Sequence, residues 1–173
     1  MNEVFPLLKV VSMDDVPAGA IVAFQRSSTS LLAIVTDQVS NGSKSLVLLN
    51  KPGQHGPTIT YMANWRNPET VLAYDSRSRF ELCMDKEKID PTGRNSWEVS
   101  GAMVVAGDRV CIRAYDEAPT FGEHRLIDVR TGEVFPNQQS NNAWNFLSWQ
   151  LWIRDPVANR HQMLIEFDAR PQS

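Results

Sequence analysis

The apolar positions of this chain form short runs, and turn-forming residues separate each run from the next. Three continuous apolar runs in the first half are "GAIVAF" (19–24), "SLLAIVT" (30–36) and "SLVLLN" (45–50). Runs of this length are typical of strands that are covered on both faces, and the "SNGS" segment supplies a turn between the second and the third. Further short strands are predicted at 58–62, 70–74 and 79–84.

In the second half of the chain, apolar and polar residues alternate. In "DRVCIRAY" (108–115), Val110, Ile112 and Ala114 share one face, and Arg113 lies on the other. A period of two is the side-chain period of a β-strand. This segment is therefore predicted to be a strand with one face in the core.

Two hairpins are predicted in the same half. The segment 126–135 has Gly132 placed for a tight turn, and 148–167 joins two alternating segments through "DPVANR". In its first strand, the inward residues are Trp149, Leu151 and Ile153, opposite Gln150, Trp152 and Arg154. In its second strand, the predicted inward residues are His161, Met163, Ile165 and Phe167.

These patterns predict a single all-β domain over 1–173, a sandwich or barrel-like fold of about ten to twelve short strands. At most one or two short helices are expected, and the best candidate lies near 143–148, where Trp144, Leu147 and Leu151 keep helical spacing. The motif V-x-A-G-x-x-V occurs at both Gly19 and Gly107. It raises the alternative of a duplicated unit (1–86 and 87–173), but a chance match of common residues is the favoured explanation.

Composition limits the class of protein. The 173 residues are 42% apolar, which is normal for a globular chain with a core. Cys83 and Cys111 each lie in an apolar run, so two buried thiols are expected rather than a disulfide. No CxxC spacing or calcium-loop pattern occurs, so no metal and no cofactor are predicted.

Charge and hydropathy exclude several partners. The formal net charge is -3 and no basic run is present, which argues against a nucleic-acid partner. The first residues lack the basic segment of a signal peptide, and no apolar stretch approaches the roughly 20 residues of a membrane span. A soluble, cytoplasmic protein is predicted, although export without a leader would leave no trace in the sequence.

Catalytic signatures such as GxSxG and HExxH are absent. His161 is expected to be a strand residue, whereas His55 lies in a loop between Gly53 and Gly56. Loops carry function disproportionately because a rigid scaffold positions them. An alternative interpretation is therefore a small β-scaffold hydrolase or lyase, with His55 or His161 as general acid/base.

The aromatic residues favour a different function. Trp65 is next to Arg66 in a loop, and tryptophan and arginine are enriched where proteins contact partners. Trp152 lies on the outward face of its strand, where an exposed indole would be a contact residue, whereas Trp97 and Trp144 are expected to cover the core. The leading hypothesis is a non-enzymatic recognition or assembly module for a protein or carbohydrate partner. Its predicted contact residues are Lys51, His55, Trp65, Arg66 and Trp152.

Two further expectations concern surfaces. The continuous apolar strands of the first half would also suit a subunit of a homo-oligomeric assembly. Arg109, Arg113, Arg125 and Arg130 are interspersed with acidic residues, so cross-strand ion pairs are expected. An anion-binding arginine patch is the less favoured alternative.

Overall fold

The computed structural model describes residues 8–53, 56–63, 68–75, 78–90, 99–117, 123–137, 143–155, 157 and 159–169, with backbone alone at 56 and 57. The described chain is all-β, as predicted, with one 3-10 helix (Met13–Asp15). A helix of sufficient length and apolarity to cross a bilayer is absent from these residues. The strands are β1 (Leu8–Ser12), β2 (Ile21–Arg26), β3 (Thr29–Ser40), β4 (Ser43–Gly53), β5 (Gly56–Met62), β6 (Thr70–Tyr74), β7 (Arg79–Met84), β8 (Ile89–Asp90), β9 (Met103–Ala106), β10 (Arg109–Asp116), β11 (His124–Asp128), β12 (Val134–Pro136), β13 (Trp144–Phe146), β14 (Ser148–Asp155) and β15 (Arg160–Asp168).

The fifteen strands exceed the ten to twelve predicted, because β1, β8, β9 and β13 lie outside the predicted strand segments. Of these, β8 and β13 are only two or three residues long. Strands so short have no apolar run of their own, and only their pairing with neighbouring strands identifies them. The helix expected near 143–148 is wrong: Trp144–Phe146 is a strand that pairs with β8 and β9. Its Asn145 is buried and its Trp144 is 54% exposed, so Trp144 does not cover the core as expected.

The strands form two sheets. The larger has the order β1-β6-β2-β3-β4-β5-β10-β9-β13-β8, with β11 on β10 and β12 on β11. The smaller has the order β15-β14-β7. β10 pairs with β9 along its first half and with β5 at Tyr115 and Asp116, the latter in a parallel arrangement.

One apolar cluster joins the two sheets. Ile34, Leu49 and Ile112 of the larger sheet belong to the same buried cluster as Trp149 and Leu151 of the smaller. The opposite face of β2, β3 and β4 contributes to a second cluster, which includes Met13 of the 3-10 helix. The central strands are therefore covered on both faces, as their continuous apolar runs predicted, and these runs require no second copy of the chain.

Both predicted hairpins are confirmed. β11 and β12 pair around Gly132, and β14 pairs with β15. The predicted inward face of β14 is also confirmed, because Trp149, Leu151 and Ile153 are all buried.

The prediction for β15 is only partly right. The pairing shifts from Leu151–Ile165 to Trp152–Met163, which leaves Leu164 as an extra residue. Such a β-bulge interrupts the alternation of faces. Ile165 and Phe167 are buried, but Met163 and His161 pair with Trp152 and Arg154 on the outer face and are exposed.

The expectation of two buried thiols is also half wrong. Both cysteines are free, but Cys83 is exposed and Cys111 is buried. Cys83 lies on the face of β7 that is opposite to the inward Leu82 and Met84.

Candidate functional site

An apolar cavity of about 300 Å³ lies between the two sheets. Twelve of its thirteen lining residues are apolar, and the exception is Arg130. The exposed Phe80 and Arg130 mark where the cavity reaches the surface. The volume is at the lower end of the roughly 300 to 1,000 Å³ that small-molecule sites occupy.

Strand alternation builds the wall that the smaller sheet contributes. Phe80, Leu82 and Met84 are spaced by two along β7, so they share a face. Leu82 and Met84 lie directly opposite Leu151 and Trp149 of β14, which also line the cavity. The facing wall is formed by strands of the larger sheet and includes Ile21, Ile34, Leu49 and Ile112.

The Trp149 side chain is held in place by a hydrogen bond and by a stacking contact. Its indole Nε1 donates a hydrogen bond to the Gly101 carbonyl oxygen at 2.7 Å. Its ring stacks on Phe167, with centroids 5.5 Å apart and planes 20° apart. Gly101 has φ of +95°, and a Cβ there would collide with the Phe167 ring. This wall is therefore preformed rather than adaptable.

The turn that carries Arg130 is anchored from several directions. The Asp128 carboxylate accepts hydrogen bonds from the backbone amides of Arg130 (2.8 Å) and Thr131 (3.1 Å). The Val129 amide donates to the Val110 carbonyl, and the Gly132 carbonyl accepts from the Asp37 amide. The turn is thus fixed to both β10 and β3.

Arg130 is the charged residue of the cavity wall. Its side chain is exposed, and no ion pair or side-chain hydrogen bond involves it in the part of the chain that the structure describes. The expectation of cross-strand ion pairs is met at Arg125, which pairs with Asp116 (3.4 Å) and Glu123 (3.5 Å). Arg109 instead lies over the Phe135 ring, 4.7 Å from its centroid.

Arg113 lies in a buried polar cluster that the sequence did not reveal. Its Nε donates to Asn137 Oδ1 (3.0 Å) and its Nη2 to Asn145 Oδ1 (3.1 Å). Burial lowers the pKa of Arg113 from its ordinary value to about 10, and the nearby Asp90 carboxylate acts in the opposite direction. The cluster links β10 to β13, which β9 separates in the sheet, and does not reach the cavity lining.

Of the predicted contact residues, Lys51 and Trp152 are described by the structure, and neither lines this cavity. Lys51 forms an ion pair with Glu117, just beyond the end of β10. Trp152 is half-buried on the outer face of the smaller sheet, where its Nε1 donates to Gln150 Oε1 (3.0 Å) and its ring lies 5.7 Å from that of His161. His55, Trp65 and Arg66 lie outside the described residues, as does Trp97.

The cavity itself escaped prediction because its walls come from segments that are far apart in sequence. The available signal was the alternation of Phe80, Leu82 and Met84 in "RFELCM", together with an arginine in the predicted 126–135 turn. Among the residues that the structure describes, the lining contains no histidine, cysteine, serine or carboxylate. Among the described residues, no group of three histidine, cysteine or acidic side chains is placed to hold a metal ion.

No protein-family model, curated protein or solved structure matches the chain.

Proposed function

We propose that this protein is a non-enzymatic binding module that holds a small apolar ligand in the cavity between its two sheets. The observation that carries the proposal is the lining: twelve of thirteen residues are apolar around about 300 Å³. A concave, mostly apolar surface with few polar groups is the usual environment of a small-molecule site. The lining offers no nucleophile and no general base, which favours binding over catalysis.

The size of the cavity limits the ligand. Because a water-sized group takes about 30 Å³, the cavity accommodates roughly ten such groups. An eight-carbon chain has this size, so 1-octanol is a suitable neutral probe. We expect saturable binding of 1-octanol to the full chain by isothermal titration calorimetry, with a negative heat-capacity change from the burial of apolar surface.

A pair of variants on one strand locates the site. Leu82→Trp places a large ring in the cavity, whereas Cys83→Trp places the same ring on the exposed opposite face of β7. We expect Leu82→Trp to weaken 1-octanol binding at least tenfold and Cys83→Trp to leave it unchanged. The far-ultraviolet circular dichroism of both variants checks that they remain folded. Failure of the wild-type chain to bind, or equal binding by a folded Leu82→Trp variant, would refute the proposal.

A second candidate function concerns the outer face of the smaller sheet. There Trp152 lies beside the exposed Met163 and His161, and polar side chains such as Gln150 and Glu166 surround it. A tryptophan bordered by hydrogen-bonding groups suits the recognition of a carbohydrate, one of the partners that the sequence predicted. Trp152→Ala should abolish binding on a glycan array, and Trp144→Ala, which removes another partly exposed indole, should not. Binding that survives Trp152→Ala, or no binding by the wild type, excludes this candidate.

A further inference from the structure

The cavity combines an apolar interior with one positively charged group at its surface opening. We infer that the ligand is a medium-chain carboxylate, whose apolar chain lies in the cavity and whose carboxylate binds Arg130. This inference rests on the proposed function. Arginine suits this role because its planar guanidinium donates two parallel hydrogen bonds to a carboxylate.

The backbone of Arg130 is anchored, and its guanidinium is available to a ligand. The amide of Arg130 is held by Asp128, and the following Gly132 is hydrogen-bonded to Asp37, so the backbone that carries the guanidinium is fixed. The guanidinium itself forms no ion pair in the described parts of the chain, whereas Arg125, on the same hairpin, pairs with Asp116 and Glu123. A bound carboxylate would supply the missing partner without displacing an existing one.

The charge around Arg130 favours a monoanion. Asp37 and Glu133, which flank the Gly132 position of the turn, are both exposed carboxylates. A dianionic phosphate monoester would carry one negative charge more than the single guanidinium of the cavity wall neutralises. A carboxylate carries a single charge and is matched by Arg130 alone, so it is the better fit to this rim.

Four probes with the same eight-carbon chain separate the contributions of chain and head group. Octanoate, 1-octanol, octylamine and octyl phosphate are titrated into the full-length chain at neutral pH. We expect octanoate to bind roughly fivefold more tightly than 1-octanol, as for a partly exposed ion pair. Octylamine should bind most weakly. Added salt should weaken octanoate binding and leave 1-octanol binding unchanged, because salt screens exposed charges.

Arg130→Gln tests the residue directly. We expect this variant to lose the fivefold preference for octanoate over 1-octanol, while saturable 1-octanol binding shows that the cavity is still present. Arg79→Gln is the matched control, since it removes an exposed arginine beside Phe80 that does not line the cavity. It should keep the fivefold preference for octanoate.

The outcomes distinguish this inference from the function on which it rests. If 1-octanol binds but octanoate binds no more tightly, or if Arg130→Gln keeps the preference, the carboxylate inference is wrong and the apolar site stands. Tighter binding of octyl phosphate or octylamine than of octanoate overturns it as well. If none of the four probes binds, the proposed function itself fails.

Discussion

Gly132 and Gly19 fit against each other so closely that a Cβ added to Gly132 would lie 2.6 Å from the backbone nitrogen of Gly19. Both residues have positive φ, +72° and +81°, which favours glycine. A Cβ on Gly19 would in turn collide with the carbonyl group of Arg130. The two glycines therefore let the turn that carries Arg130 pack against the start of β2, at the opening of the cavity.

This contact predicts an unequal cost for two alanine substitutions. Gly42 also has positive φ (+77°) but has nothing within 4 Å of an added Cβ, so Gly42→Ala measures backbone strain alone. That strain amounts to about 1 to 2 kcal/mol. Gly19→Ala adds a collision with backbone atoms that cannot rotate away, and we expect at least twice the loss in the free energy of unfolding. Urea denaturation measures both. Equal losses would show that the turn moves aside at little cost.

Trp149 predicts where a bound ligand lies. Because its ring lines the cavity, 8-bromo-1-octanol should quench its fluorescence through contact with the bromine atom. Trp149→Phe should remove most of this quenching. Trp144→Phe is the control, because Trp144 is 54% exposed and does not line the cavity. Quenching that persists in Trp149→Phe would place the ligand elsewhere on the protein.

The two cysteines should differ in reactivity. Cys83 is exposed, while burial and the nearby Asp128 charge raise the pKa of Cys111 from 9.0 to about 11. At pH 8, about one Cys111 thiol in a thousand is then ionised, and the thiolate is the reactive form. With Ellman's reagent we expect one thiol per chain to react quickly and the second only after denaturation. The Cys83→Ser variant should lose the fast reaction, and a fast reaction that remains would contradict the burial of Cys111.

The raised pKa of Cys111 also predicts a loss of stability in alkali. Between pH 9 and about 11 the unfolded thiol releases its proton while the folded one retains it, so the unfolded state binds fewer protons. The free energy of unfolding therefore falls as pH rises through this window, by up to about 2 to 3 kcal/mol.

Cys111→Ala should make this alkaline loss smaller. Urea denaturation of the wild type and the variant at about pH 8 and pH 10.5 provides the comparison. The pKa values of Tyr61 and Tyr74 are also raised, mainly by burial, but these residues are present in both proteins and cancel in the difference. Parallel pH profiles for the two proteins would show that Cys111 does not contribute.

The sequence predicted local features more successfully than long-range ones. β6 and β7 coincide with the predicted segments because each apolar run is bounded by turn residues. The predicted face of Met163 is wrong because of the bulge at Leu164. That bulge depends on pairing with β14, which the sequence of β15 alone does not encode. The cavity depends on how β7 and β14 pack over β2, β3 and β10. The contact roles predicted for Trp65, Arg66 and His55 stay predictions.

The Arg113 cluster supplies the last prediction. Arg113 is 3% exposed, and Asn145 accepts a hydrogen bond from its guanidinium. Removal of one acceptor from a buried charge typically costs about 1 to 3 kcal/mol. Asn145→Leu should therefore reduce the free energy of unfolding by about this amount, measured by urea denaturation.

The double variant Arg113→Met/Asn145→Leu, made together with Asp90→Asn so that the buried Asp90 carboxylate is not left without its positive neighbour, separates the cost of the unsatisfied charge from the cost of lost packing. Apolar residues of similar volume can replace a buried polar cluster with little loss once the charge is also removed. We expect the double variant to be more stable than Asn145→Leu alone, because no buried guanidinium is then left short of an acceptor. Exposed Gln162→Leu is the control for a generic polar-to-apolar change and should alter stability by less than about 0.5 kcal/mol. Additive losses in the double variant would mean that Arg113 and Asn145 stabilise the sheet independently of each other.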